Sequence, residues 1–210
     1  LARLNTLLEI GCGRGTTTAL LAENLAASIT ALDNDEYNLS CLRNRLTNNE
    51  LKHKVLPVCG SMTELPFKAL CFDIIWAEGS AYIMGFEKAL AYWKTFIGSR
   101  GYLVIMDLVW LKKSPQKEAT DFWTQNYPDI KSVEERRIQI KNNGYQILDD
   151  FTLSDTSWSN YTIPLAERVS KLIDNDSQID FSTNALDDVK NELTLHKKND
   201  SDYGYQFFIL

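Results

Sequence analysis

Leu7-Leu8-Glu9-Ile10-Gly11-Cys12-Gly13-Arg14-Gly15-Thr16 is the stretch around which the rest of the chain is organised. An apolar run of strand type enters a loop with glycine at every second position, and a helical pattern from Thr17 to Ala27 follows. Gly11, Gly13 and Gly15 can take backbone angles closed to other residues, and they let a ligand come close to the main chain. A helix starting behind them offers unpaired N–H groups and a partial positive charge. Such a loop suits a nucleotide, although a βα turn can be glycine-rich for structural reasons alone. Thr16 is placed to cap the helix.

Spacing narrows the choice of nucleotide. The dinucleotide fingerprint G-x-G-x-x-G carries its third glycine inside the helix. Here the third glycine follows the second by two residues and stays in the loop, and Glu9 stands two residues before the first. An NAD-dependent oxidoreductase is therefore disfavoured, and no catalytic Tyr-Lys pair or well-placed His supports one.

Composition bounds the problem. The chain has 210 residues, is 44% hydrophobic, and suits one globular domain spanning 1–210. Its formal charge is −6, and its basic clusters go no further than pairs such as Lys112-Lys113 and Arg136-Arg137, which argues against a nucleic-acid surface. Four cysteines without C-x-x-C spacing point to reduced thiols and a cytoplasmic setting. No apolar run reaches the length of a membrane span. The chain opens on Leu1, almost on the first strand, so a preceding segment is expected to be missing.

Strands and helices alternate from there. Strands are expected at Thr6–Ile10, Ser28–Leu32, Lys54–Cys59, Phe72–Ala77 and Tyr102–Val109. Asp35 caps a helix carrying Leu39, Leu42 and Leu46. A long helix carries Ile83, Phe86, Leu90, Trp93 and Ile97 and ends at Gly98 to Gly101. This βαβ series implies an α/β fold, a mostly parallel sheet in a Rossmann-like three-layer sandwich. Further on, helices are expected at Gln116–Tyr127, Val133–Asn142, Pro164–Ile173 and Asn184–His196, and strands at Tyr145–Leu153 and Tyr203–Leu210. Ser154–Thr162 and Asp174–Ser182 read as loops.

Ligands of open parallel sheets bind beyond the carboxyl ends of the strands. The second strand ends in Asp33, about twenty residues after the first glycine, where a carboxylate can accept from both ribose hydroxyls. The competing role, capping the next helix, suits Asp35 better. Glu78 follows the fourth strand, either as a functional carboxylate or as a first-turn acid favouring a helix dipole.

The E-x-G-x-G-x-G run resembles motif I of the class I S-adenosylmethionine-dependent methyltransferases. The second-strand acid, the Leu65-Pro66-Phe67 turn, Phe72-Asp73-Ile74-Ile75 and Gly101-Tyr102-Leu103-Val104 follow the order of that family. Over its first half the chain is most similar to the small-molecule group that includes ubiquinone and menaquinone biosynthesis enzymes, and to uncharacterised bacterial members. The resemblance implies seven strands with an antiparallel last strand, Tyr203–Leu210, after a helical insertion at 164–200. It implies S-adenosylmethionine as cofactor, contacted by Glu9, Gly11, Cys12, Gly13, Gly15, Asp33, Asn34, Ser61, Met62 and Glu78. Ser61 stands where the family often has an Asp facing adenine, and Met62 supplies a soft apolar contact.

Methyl transfer from a sulfonium is an in-line displacement and needs positioning more than a covalent nucleophile. A base is needed only for a protonated or weakly nucleophilic acceptor. The two histidines, His53 and His196, are poorly placed for that, and no Asp/Glu/His cluster suggests a metal. Glu78 and Tyr82 are the catalytic candidates, and Tyr82, Trp110 and Trp158 are the candidates to line the pocket of a small-molecule acceptor. A catalytically silent binding module of the same fold is the alternative from another functional class.

Overall fold

The computed structural model describes residues 4–47, 50–174, 189–195, 198 and 201–210. The chain of 1–210 forms two compact units. The first comprises Leu1–Asp107, Glu134–Phe151 and Phe207–Leu210; the second comprises Leu108–Val133 and Thr152–Gln206.

In the first unit β1 (Thr6–Ile10) leads through the glycine loop into α1 (Thr16–Asn24) and β2 (Ser28–Asp33). Next come α2 (Glu36–Thr47), β3 (Val55–Cys59), β4 (Phe72–Glu78), α3 (Phe86–Trp93) and β5 (Ile97–Trp110), the last ending in the second unit. Parallel registers join β1 to β2, β1 to β4, β2 to β3 and β4 to β5. Leu7, Leu8, Glu9 and Ile10 are all buried, so both faces of β1 are covered, as in a three-layer α/β fold. Each such leucine taken from water contributes roughly 1.5–3 kcal/mol.

α5 (Val133–Asn142) follows, and then β7 (Asp149–Thr152) and β8 (Tyr203–Ile209) complete the strand order β3-β2-β1-β4-β5-β8-β7. Leu103 and Leu210 exchange both backbone hydrogen bonds, at 3.1 and 2.9 Å, which marks β8 as antiparallel to β5. The order confirms a mostly parallel sheet with its last strand antiparallel and set beside the fifth. Chain order along the sheet reverses between β1 and β4, the switch point at which open sheets hold ligands.

The second unit contains α4 (Lys117–Asn126), the two-residue β6 (Lys131–Ser132) on the end of β5, α6 (Asp155–Asp174) and a helical segment at 189–195. Its core joins Leu108, Ala119, Trp123, Tyr127, Ile130, Trp158, Leu195 and Tyr203. No helix among the described residues is long and apolar enough to cross a membrane.

Several boundaries differ from the sequence expectation. Gly15, not Thr16, is the N-cap of α1; its left-handed backbone turns the chain and no side chain caps the helix. The long helix proposed across Ile83 to Ile97 is two pieces. Ala81–Ile83 is a single 3-10 turn, Gly85 at φ 93° restarts the chain, and Ile97 already belongs to β5. Gly98 to Gly101 therefore lie in a strand rather than ending a helix. Ser154–Thr162, expected as a loop, is largely helix, with the Ser157 amide donating to Ser154 Oγ at 3.3 Å as a cap. Pro164 falls inside that helix. The strand expected at Tyr145–Leu153 begins only at Asp149. Asn184–His196 lies partly, and Asp174–Ser182 almost wholly, outside the described residues.

Candidate cofactor site

The site is built where β1, β2, β3 and β4 end. Asp33 closes β2 and is buried, and its carboxylate faces the glycine loop. Oδ2 accepts from the Gly13 amide at 2.8 Å, and Oδ1 accepts from the Asp35 amide at 2.9 Å and Asn38 Nδ2 at 3.4 Å. Asp35 caps α2 separately, accepting from the Tyr37 amide at 2.8 Å. The two acids thus divide the two roles that the sequence left in competition.

The three loop glycines do different work. A Cβ on Gly11 would meet Ser80 Cβ at 2.7 Å, and one on Gly15 would meet Leu42 Cδ1 at 2.2 Å. A Cβ on Gly13 would meet nothing within 4 Å. Gly11 and Gly15 are needed for packing, whereas Gly13 turns a bare backbone towards open space. That is the shape of a cradle for a nucleoside.

Beside it lies a cleft of about 310 Å³, within the usual range for a small ligand. Gly11, Asp33, Asn34, Ser61 and Met62 line it, as expected from the sequence. Asn38, Gly60, Thr63, Gly79, Ser80 and Ile83 also line it and were not anticipated. Asn38 was legible in principle, since it stands on the first turn of the helix after Asp33. Ser61 Oγ shares a hydrogen bond with Thr63 Oγ1 at 2.8 Å, which fixes the hydroxyl at the cleft. Ser80 Oγ donates to the Ile10 carbonyl at 2.9 Å, tying the end of β4 to that of β1.

Glu9, Cys12, Gly13, Gly15 and Glu78, also expected at the cofactor, do not line the cleft. Glu9 is only 3% exposed, and burial first, then the charge of Glu78, pushes its carboxyl up to about 7. The Thr18 hydroxyl pulls the other way. Neither Thr18 Oγ1 nor Glu9 Oε2 completes a hydrogen bond among the described residues. Burial, with Glu9 and Asp33 nearby, pushes the Cys12 thiol up to about 12, so it stays protonated. Glu78 Oε2 accepts from Trp76 Nε1 at 3.3 Å, which orients the carboxylate on the face of β4 that Glu9 shares across the register. Glu78 belongs to the strand, not to the first turn of a helix.

Tyr82, in the 3-10 turn after β4, is 53% exposed. Trp110 and Trp158 belong to the aromatic core of the second unit, where Trp158 stacks on Tyr205 with ring centroids 5.0 Å apart. Trp158 is buried and Trp110 half-buried. A larger groove, about 850 Å³, runs between α6 and the 189–195 segment. It gathers no converging acids, glycines or capped helix end, so the smaller cleft is the better ligand site. Among the described residues no group of three His, Cys, Asp or Glu side chains could hold a metal.

An S-adenosyl nucleoside suits these residues: a bare glycine backbone, an acid lining the cleft at the end of β2, a hydroxyl and a thioether at the end of β3, and an unsatisfied buried carboxylate oxygen. Comparisons with known proteins agree. Residues 8–105 match the family model for a methyltransferase domain. The chain is 31% identical over 87 residues to a malonyl-(acyl-carrier protein) O-methyltransferase of Herminiimonas arsenicoxydans, covering 41% of this chain and 30% of that protein. It spans less than half the length of the curated relatives it matches. Among solved structures, the cyclase SpnF superposes with a TM-score of 0.78 at 20% identity, covering 100% of this chain and 74% of the other. A sarcosine dimethylglycine methyltransferase from Galdieria sulphuraria gives 0.76 at 16% identity, covering 99% and 78%. The methyltransferase-domain match and the likeness of fold along the chain identify the fold and domain as those of the S-adenosylmethionine-dependent class I methyltransferases.

Proposed function

We propose that the protein transfers the methyl group of S-adenosylmethionine to a small organic acceptor, with the cofactor lying across the ends of β3, β2, β1 and β4. The observation that carries this reading is the 2.8 Å contact from the Gly13 amide to Asp33, beside a glycine that faces open space. A likeness of fold alone would not suffice, since one neighbour is named as a cyclase.

Bound cofactor supplies a methyl group already activated on a sulfonium sulfur. The protein's part is to hold, orient and exclude water. A carboxylate offers about four acceptor sites; Gly13, Asp35 and Asn38 use three on Asp33. That bracing leaves acceptor capacity for a ribose hydroxyl, and the Gly13 contact can be exchanged for a second. Ser61 and Met62 meet the adenine, by hydroxyl and by thioether. Glu78, steadied by Trp76, takes a proton from an acceptor that arrives as an ammonium or a hydroxyl. Tyr82 walls the acceptor side. Trp158 serves packing. Holding the acceptor atom in line with carbon and sulfur can contribute about 7–11 kcal/mol of the barrier.

Thermal denaturation with added nucleotides tests the reading. S-adenosylmethionine and S-adenosylhomocysteine are expected to raise the melting temperature, and NAD to leave it unchanged; the reverse pattern ends the proposal. Asp33→Ala removes charge-assisted hydrogen bonds of about 1.5–3 kcal/mol each, so S-adenosylhomocysteine affinity falls roughly ten-fold or more. Release of S-adenosylhomocysteine across a panel of amine, hydroxyl and carboxylate acceptors then identifies the acceptor, and Glu78→Gln is expected to lower that turnover more than it weakens cofactor binding.

A further inference from the structure

Glu9 is an unusual residue to bury in the middle of a parallel sheet. Its register neighbours, Ala31 on β2 and Trp76 on β4, give it no partner: one is a methyl group, and the indole N–H of the other is spent on Glu78. From α1 it meets the Thr18 hydroxyl, itself without a completed hydrogen bond among the described residues. From the glycine loop it meets the Cys12 thiol, which is neutral. From β4 it meets Glu78, a charge of its own sign. Asp33, at the end of β2, also acts on Cys12, and its carboxylate is held by Gly13, Asp35 and Asn38. No ion pair of the described residues reaches Glu9.

A carboxylate in such surroundings is costly unless it is neutral or meets a cation. Among the described residues none supplies a cation to it. The cleft that starts two residues further along, at Gly11, is where one can arrive.

We infer that Glu9 carries a proton in the ligand-free protein and gives it up when a cationic ligand binds at the glycine loop, so that cofactor binding is coupled to proton release and tightens as pH rises. The O–H bond of the Glu9 carboxyl breaks, the proton passes to the buffer, and the carboxylate keeps the electron pair and faces the ligand's ammonium. Burial and Glu78 holding the Glu9 carboxyl near 7 support the same conclusion. The ligand half of this inference rests on the proposed cofactor reading; the protonated ligand-free state rests on the protein alone.

Two measurements separate those halves. Calorimetric titration with S-adenosylhomocysteine at pH 7, in buffers of low and high ionisation enthalpy, is expected to show release of roughly half a proton per site. Affinity should rise about ten-fold between pH 6 and pH 8. In Glu9→Gln binding at pH 8 is expected to weaken, and what binding remains shows neither proton release nor the pH dependence. Equal proton release in wild type and variant, or pH-independent binding in wild type, overturns the inference. Carboxyl-carbon NMR of the ligand-free protein, assigned by loss of one resonance in Glu9→Gln, should give Glu9 a midpoint near neutrality. A midpoint in the ordinary glutamate range overturns it whatever the ligand does. A near-neutral midpoint with no binding heat at any pH sinks the cofactor reading and the proton coupling with it, and leaves the protonated Glu9 standing.

Discussion

Single residues at the glycine loop separate packing from ligand contact. Gly15 at φ 79° is pressed against Leu42, while Gly13 at φ 53° faces open space. Gly15→Ala must drive a methyl group into the α2 core, so it is expected to lower unfolding free energy by about 1–3 kcal/mol in urea titration. Gly13→Ala meets no neighbour and costs only the about 1 kcal/mol of a left-handed backbone. Its larger effect is on S-adenosylhomocysteine affinity, which should fall by more than its melting temperature would suggest. The sequence singles out all three glycines by their period of two at a strand-to-helix turn. It does not reveal which are pressed by neighbours, because Leu42 and Ser80 reach them only through tertiary packing. The place of Asp33 at the cleft was legible for the opposite reason: it follows from local spacing, an acid at the end of the second strand about twenty residues after the first glycine.

Between elements, the most consequential contact of the first unit joins β5 to α5. Arg136 is fully buried, donates from Nε to Asp107 Oδ2 at 2.8 Å and from Nη1 to Gln139 Oε1 at 2.8 Å, and lies over the Phe86 ring at 4.5 Å. Removing one partner of such a pair strands the other's charge. Arg136→Met is therefore expected to destabilise the protein by about 3–5 kcal/mol, and Asp107→Leu in the same chain to recover much of that loss. Equilibrium unfolding of both variants checks it. In the sequence Arg136-Arg137 looks like a small basic surface pair. One of the two is in the core and the other pairs with Asp150 at 2.8 Å, so neither offers a free cation to a phosphate. Periodicity placed α5 correctly and still could not show a buried arginine, because charge patterning carries no sign of a partner 29 residues away. The proposed long helix across Ile83 to Ile97 failed for a related reason. Apolar residues at helical spacing continued through Gly85, yet a backbone at φ 93° cannot sit inside a helix.

At the scale of the whole molecule, the parallel half of the sheet was readable because each βαβ unit is local and strongly patterned. The antiparallel end was implied by resemblance rather than by pattern, since β7 and β8 meet across a long stretch of chain. Stability against pH should carry two opposed contributions. Backbone amides of Asn5 and Thr6 hold the Asp73 carboxyl below its usual value, so its contribution is present above pH 4 and is lost as pH falls through the lowered value. Glu9 is raised instead: the folded state binds the extra proton, so stability falls as pH climbs from about 4.5 to about 7. Ligand-free protein is thus expected to melt higher at pH 5.5 than at pH 8, and Glu9→Gln to flatten that slope without changing the acid limb. Saturating cofactor is expected to remove that preference, because with Glu9 ionised in the complex neither the bound nor the unfolded state takes up a proton between pH 5.5 and pH 8.

The proposed S-adenosyl nucleoside site lies on the ends of β1, β2, β3 and β4. Titration of the protein with S-adenosylhomocysteine, followed through its backbone amide resonances, tests it most directly. Saturable shifts are expected, largest at Gly11 to Gly15, Asp33-Asn34, Gly60 to Met62 and Gly79-Ser80. Saturable shifts confined to other residues, or none at millimolar ligand, would contradict it.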